Sequence, residues 1–185
     1  MNRLLIISIL FFWSYGVMAQ REFPAEIRLK SGDTLMGMLF VKTNVFNKDL
    51  LEITSFNEKL KFYDEDGAKL KIKARDINEL IFMGPDSKKR NFVKIGQFKT
   101  LVEAIYSNKV KWYKFYYLNS YMERTVNEFF DEEGNNYSAT IVVNNLRKKL
   151  KKLVKNDPEI VKFIDQNNMG NENILRIIKM YEEKI

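Results

Sequence analysis

From Ala25 to about Ile141 the apolar residues recur at every second position, the period of a strand with one face on a core and the other in water. In Glu26-Ile27-Arg28-Leu29-Lys30 the pair Ile27 and Leu29 alternates with charge, and Ser31-Gly32-Asp33 turns the chain into Thr34 to Val41. Gly32 supplies a positive φ without a Cβ clash and Asp33 suits a turn whose side chain bonds nearby backbone, so Asp33 reads as a turn residue. The same grammar recurs in Lys59 to Tyr63, Asp64-Glu-Asp-Gly67 and Ala68 to Lys73, where Leu60 and Phe62 are expected to face Leu70 and Ile72. Further strands are predicted over Leu51 to Phe56, Glu79 to Met83, Asn91 to Gln97, Thr100 to Ser107, Lys109 to Leu118, Val126 to Phe130 and Asn136 to Ile141. Turns are predicted at Gly84 to Ser87 and Asp131 to Asn135.

After Val143 the period becomes helical, with Leu146, Leu150 and Leu153 on one face. A second helix is predicted from Asp157-Pro158-Glu159, with Asp as N-cap, Pro in the first turn and Glu near the positive helix end. It carries Ile160, Val161 and Ile164, and a third helix runs from about Asn171 through Ile174, Leu175, Ile177, Ile178 and Tyr181. The fold class is therefore α+β: an antiparallel β-rich body, either an open roll or a partly closed barrel, followed by two or three short C-terminal helices. Three regions follow: a leader over 1–19, a β-rich domain over 20–143 and a helical tail over 144–185.

The leader is read from MNRLLIISILFFWSYGVMAQ. Arg3 precedes an apolar run from Leu4 to Val17, and Val17-Met18-Ala19 has the small residues a signal peptidase reads, so cleavage is expected before Gln20. The run of about 14 residues is shorter than the ~20 needed to span a bilayer. The mature chain is thus expected to be exported, periplasmic or secreted, with no transmembrane segment. It has the length of one domain that can bury a core without staples.

Taken together, the extended start with SGDTLMGML, the charged-apolar hairpins, Ala74-Arg75-Asp76-Ile77 and the lysine-rich helices with NDPEIVKFI resemble a group of uncharacterised secreted β-rich proteins of Bacteroidota. There a GDT-x-x-G phrase follows the first strand, an aspartate-isoleucine step precedes a middle strand and a proline-glutamate helix sits near the end. The resemblance implies export and the order of strands before helices. It implies no activity, substrate or catalytic residue, and the region from Asn119 to Asn136 fits none of its phrases.

Composition removes several chemistries. The chain has no histidine and no cysteine, which rules out Ser-His-Asp and Cys-His nucleophiles, histidine or thiolate metal sites and lipidation on cysteine. A Ser-Lys pair remains possible, and two carboxylates could still cleave a glycoside; Glu26, Asp33, Asp76 and Glu103 stand in or beside strands. The acidic stretches Asp64-Glu65-Asp66 and Asp131-Glu132-Glu133 lack the spacing of a calcium loop and read as solvated turns. No catalytic residue, metal site or cofactor is assigned.

Two stretches could bind a partner. In Lys109 to Tyr117, alternation puts Trp112, Lys114 and Tyr116 on one face and Tyr113, Phe115 and Tyr117 on the other. The first trio is either a ligand platform for a sugar ring or an exposed base, the latter disfavoured by the export signal, or part of a doubly covered central strand. Net charge is +7, and Arg147, Lys148, Lys149, Lys151, Lys152 and Lys155 crowd one helix without an acid between them. That helix either contacts an anionic surface or leaves a solvated face. The expected function is a non-enzymatic binding or structural module of the bacterial cell envelope. Its partner would be an envelope protein, a glycan or an anionic surface, and not nucleic acid. A carboxylate-dependent glycan hydrolase is the alternative, and an adaptor acting through the basic helix a weaker one.

Overall fold

Alternation organises the body as expected. The computed structural model describes residues 19–43, 51–96, 100–118, 124–132, 135–140 and 143–185. The leader's residues 1–18 therefore lie outside the described residues. Strands β1 (Ala19–Leu29) and β2 (Thr34–Thr43) form the first hairpin. They are followed by β3 (Lys59–Asp64), β4 (Lys69–Lys73), β5 (Ile77–Met83), β6 (Lys89–Lys94), β7 (Leu101–Ser107), β8 (Val110–Leu118), β9 (Arg124–Glu132) and β10 (Asn135–Thr140). All pair antiparallel in one sheet, ordered β10-β9-β8-β7-β6-β5-β1-β2-β3-β4, which is not closed.

The first turn explains the GDT-x-x-G phrase. Gly32 has φ 98°, Leu29 N donates to Asp33 O at 2.8 Å, and the Ser31 hydroxyl donates to the Asp33 carboxylate at 2.7 Å. Asp33 is a turn residue. Gly37 is needed for a different reason: a Cβ there would lie 2.0 Å from the Tyr63 carbonyl oxygen, because β2 and β3 approach at that point. The next hairpin has the predicted register, Leu60 opposite Ile72 and Phe62 opposite Leu70. Leu60 and Phe62 are buried, and the Asp64 carboxylate accepts from Ala68 N at 2.7 Å across the turn.

A three-residue 3-10 turn, Ala74–Asp76, links the sheet's edge strand β4 to β5, which lies beside β1. Four strand spacings on a flat sheet would be about 19 Å, more than this short link reaches at about 3.8 Å per residue. The β1 to β5 portion must therefore curl. Its concave side encloses a first core of Phe23, Ile27, Leu39, Phe62, Leu80, Phe82 and Phe92 with their neighbours.

One predicted strand is absent. Leu51 makes only an isolated bridge to Thr43, and Ile53–Asn57 is a 3-10 turn. The turn drives Phe56 into the concave core, edge-on to Phe82 at 5.8 Å and to Phe92 at 5.2 Å. Aromatic burial outweighs the weak strand preference of so short a segment. Strand β1 also starts earlier than Ala25 and passes through Pro24. Its pairing with β5 begins only at Ala25, so Pro24 has a strand neighbour on one side, the setting in which proline is tolerated.

Three helices follow among the described residues: α1 (Val143–Leu153), α2 (Pro158–Gln166) and α3 (Asn171–Glu182). Asp157 caps α2 as predicted, its carboxylate accepting from Glu159 N and Ile160 N, each at 3.1 Å. Leu146, Leu150, Leu153, Ile160, Ile164, Ile174 and Ile178 join Val110, Trp112 and Phe130 of the sheet in a second core. Glu182 fastens the end of α3 to the β7–β8 hairpin, accepting from Val110 N at 2.7 Å and from the Tyr106 hydroxyl at 2.6 Å. A smaller cluster, Val102, Tyr113 and Phe129, occupies the other side of the sheet. No helix among the described residues is long and apolar enough to cross a membrane.

Candidate functional site

Three neighbouring strands each carry one charge in the middle of an apolar alternation: Leu101-Glu103-Ile105, Val126-Glu128-Phe130 and, read in reverse, Tyr116-Lys114-Trp112. The registers bring the three charges into a row, Glu103 opposite Lys114 and Lys114 opposite Glu128. Leu101 and Tyr116 belong to the first core, and Ile105, Trp112 and Phe130 to the second. The row is thus a polar seam where two hydrophobic cores meet on one side of the sheet.

Burying charge is tolerated only when it is paired and hydrogen-bonded, and each seam charge is. Arg90 of β6 forks onto Glu103, Nε to Oε1 at 2.6 Å and Nη2 to Oε2 at 2.8 Å, and the Tyr116 hydroxyl donates to Oε2 at 2.5 Å. Burial opposes the charge on Arg90, but the hydrogen bonds and charge of Glu103 outweigh it and hold the guanidinium above its ordinary pKa. Burial and the adjacent Glu103 carboxylate push the Tyr116 phenol far above its usual range, so it stays a donor. Glu128 accepts from Trp112 Nε1 at 2.5 Å and pairs with Lys114 Nζ at 3.4 Å. Lys114 also donates to Asn171 Oδ1 at 2.7 Å and lies 5.4 Å from the centre of the Trp112 ring.

Between the two cores the seam opens into a cleft of about 540 Å³. Its floor is Arg90, Glu103, Lys114 and Tyr116; the β5–β6 turn forms one wall with Asp86 and Lys88, and Asn171 at the start of α3 stands opposite. The volume is that of a small-molecule site. Donors (Arg90, Lys114, Asn171) stand beside acceptors (Glu103, Asp86) and one aromatic ring.

The sequence-predicted platform is divided by this arrangement. Lys114 and Tyr116 line the cleft, whereas Trp112 is 1% exposed beneath the helices and offers no ring face to a ligand. Its indole is held by Glu128, the ordinary fate of a tryptophan with a polar partner in a core. Of the four acids considered for hydrolysis, only Glu103 reaches the cleft. Glu26 pairs with Arg28 at 2.8 Å, Asp33 serves its turn, and Asp76 pairs with Arg75 at 3.7 Å. The expected acidic turn from Asp131 also differs, since β9 runs on through Glu132 opposite Val110. Glu132 is 5% exposed, accepting from the Tyr181 hydroxyl at 2.7 Å and pairing with Lys155 at 3.3 Å. No group of three or more acidic, histidine or cysteine side chains that could hold a metal occurs among the described residues.

The basic helix is partly consumed by its own fold. Arg147 donates to the carbonyls of Ile164 and Asn167, Lys151 pairs with Asp165 at 2.7 Å, and Lys155 pairs with Glu132. Lys148 and Lys152 are exposed and Lys149 is half-buried. Sequence reading passed over Arg90, Glu128 and Asn171. For Glu128 a signal existed, an acid at the centre of an apolar alternation; for Arg90 and Asn171 none did. Compared with family models, curated proteins and solved structures, the chain matches none.

Proposed function

We propose that this protein is an exported, non-enzymatic binding module of the bacterial cell envelope and that the seam cleft is its ligand site, taking a glycan. Export is inferred from the leader pattern of residues 1–19. The observation that carries the binding reading is that the charges of the cleft floor already have partners, Arg90 with Glu103 and Lys114 with Glu128. Glu103, the one buried acid on that floor, is engaged by Arg90 and Tyr116 on both carboxylate oxygens. A general acid must release a proton at neutral pH and a nucleophile must expose a lone pair; a carboxylate engaged in this way is arranged for neither. The adjacent donors and acceptors of the floor instead suit vicinal hydroxyls, each of which donates and accepts. The Tyr116 ring adds an apolar surface for the sugar's C–H face.

Trp112 supplies the assay. Once the leader and its Trp13 are removed it is the chain's remaining tryptophan, and it touches Lys114 and Glu128 behind the cleft. Titration with a panel of neutral oligosaccharides is expected to change its emission saturably. Tyr116→Ala and Lys114→Met should each weaken binding about tenfold or more, the loss of one good polar or packing contact. The hydrolase alternative is favoured by Asp86 and Glu103 lining one cleft. Turnover of a glycan by the wild type, lost in Glu103→Gln while binding persists, would establish it and overturn the binding reading.

A further inference from the structure

Helices α1 and α2 form a second concavity of about 790 Å³ on the far side of the tail from its core, lined by Arg147, Lys148, Lys149, Lys151 and Lys152 against the single acid Asp165. Asp165 is neutralised by Lys151. The stripe of α1 that could have entered a bilayer is spent, since Leu146, Leu150 and Leu153 are 6%, 0% and 0% exposed in the second core. Insertion of this helix into lipid is therefore excluded, and any contact it makes is electrostatic.

The cation types restrict the partner further. Arginine's planar fork engages carboxylate and phosphate alike in bidentate fashion, whereas lysine ammonium groups act as point charges that gather around the dense charge of a phosphate group without that geometry. Here the groove's guanidinium is turned onto the carbonyls of Ile164 and Asn167, where it ties α1 to the end of α2. What faces the groove is lysine. We propose that this groove is a second ligand site, separate from the seam cleft, and that it binds a discrete phosphate-bearing polyanion of head-group size. Arg147 and Lys151 act as positioning residues that fix its two helices, and Lys148 and Lys149 contact the ligand.

The test uses the full chain as exported, tripolyphosphate as probe, and calorimetric titration at low and at physiological ionic strength. The expected result is saturable binding that weakens with salt. Binding should fall at least about twentyfold in the double variant Lys148→Glu, Lys149→Glu, because each such cation contributes about fivefold. A control with the same change in net charge, Lys71→Glu with Lys73→Glu on the exposed side of β4, is expected to bind like the wild type. Equal loss in both variants would reduce the effect to overall charge and overturn the proposal, as would absence of binding. Sedimentation with phosphatidylglycerol vesicles in the absence of tripolyphosphate binding would assign the surface to a membrane, and would also overturn it.

Discussion

Glycines and interior charges are the residues on which this fold turns. Gly37 is the sharper of the two glycines in the first hairpin, because the obstacle to any larger residue is the backbone of β3, which cannot rotate aside as a side chain would. Gly37→Ala should cost about 2–4 kcal/mol through overpacking and lower the thermal midpoint by roughly 5–15 °C. Gly32→Ala meets no atom within 4 Å and is strained only by its φ of 98°, so its cost should be nearer 1 kcal/mol. Thermal unfolding of the two variants side by side checks the order; equal losses would show that the β2–β3 approach is looser than described. The interior charges were partly legible from the chain: Glu103, Lys114 and Glu128 each interrupt an apolar alternation, a pattern visible without coordinates. What could not be read was their alignment. That depends on strand registers, including the shift between Ala104 and Tyr106, and a one-residue slip would have put the charges on opposite faces.

At the scale of elements, local signals succeeded where they were strong. The hairpin from Lys59 to Lys73 and the cap at Asp157 follow from alternation and capping chemistry alone. The 51–56 segment failed because its period-two pattern is short, and Phe56 gains more from filling the rolled sheet than the backbone gains from pairing. Capping makes a prediction for α2. Hydrogen bonds from the backbone, foremost Ile160 N, and the Lys184 ammonium hold the Asp157 carboxylate below its ordinary pKa. A depressed folded-state pKa contributes stability above the unfolded value, about 3.9 for an aspartate, and that contribution fades as pH falls through the folded value. Asp157→Asn keeps an N-cap acceptor but does not titrate. The wild type should therefore unfold at a higher temperature than this variant near neutrality, and the gap should narrow below about pH 4. A gap that stays constant with pH would show that the cap gains nothing from its charge.

Over the whole molecule, two hydrophobic cores share one side of a continuous sheet. The rolled strands build the first core from neighbours close in sequence, whereas the second needs β8 and β9 to meet helices that lie far along the chain. Their junction is polar because neither core covers it, and it opens as a cleft for the same reason. The basic tail follows the same logic. Its leucines are taken up by the second core, and Arg147, Lys151 and Lys155 are engaged within the fold, leaving a groove where a uniform charged face was expected.

The seam is held by charges that satisfy one another. A double-mutant cycle on Arg90→Met and Glu103→Met, read as unfolding free energy in denaturant, measures that directly. Either single variant should lose about 2–4 kcal/mol by depriving a charge in the sheet's interior of its ion-pair partner, while the double variant should recover much of that loss, giving a coupling of at least about 1.5 kcal/mol. Losses that add to within about 0.5 kcal/mol would mean the two groups are independent, and the paired floor on which the binding reading rests would not exist.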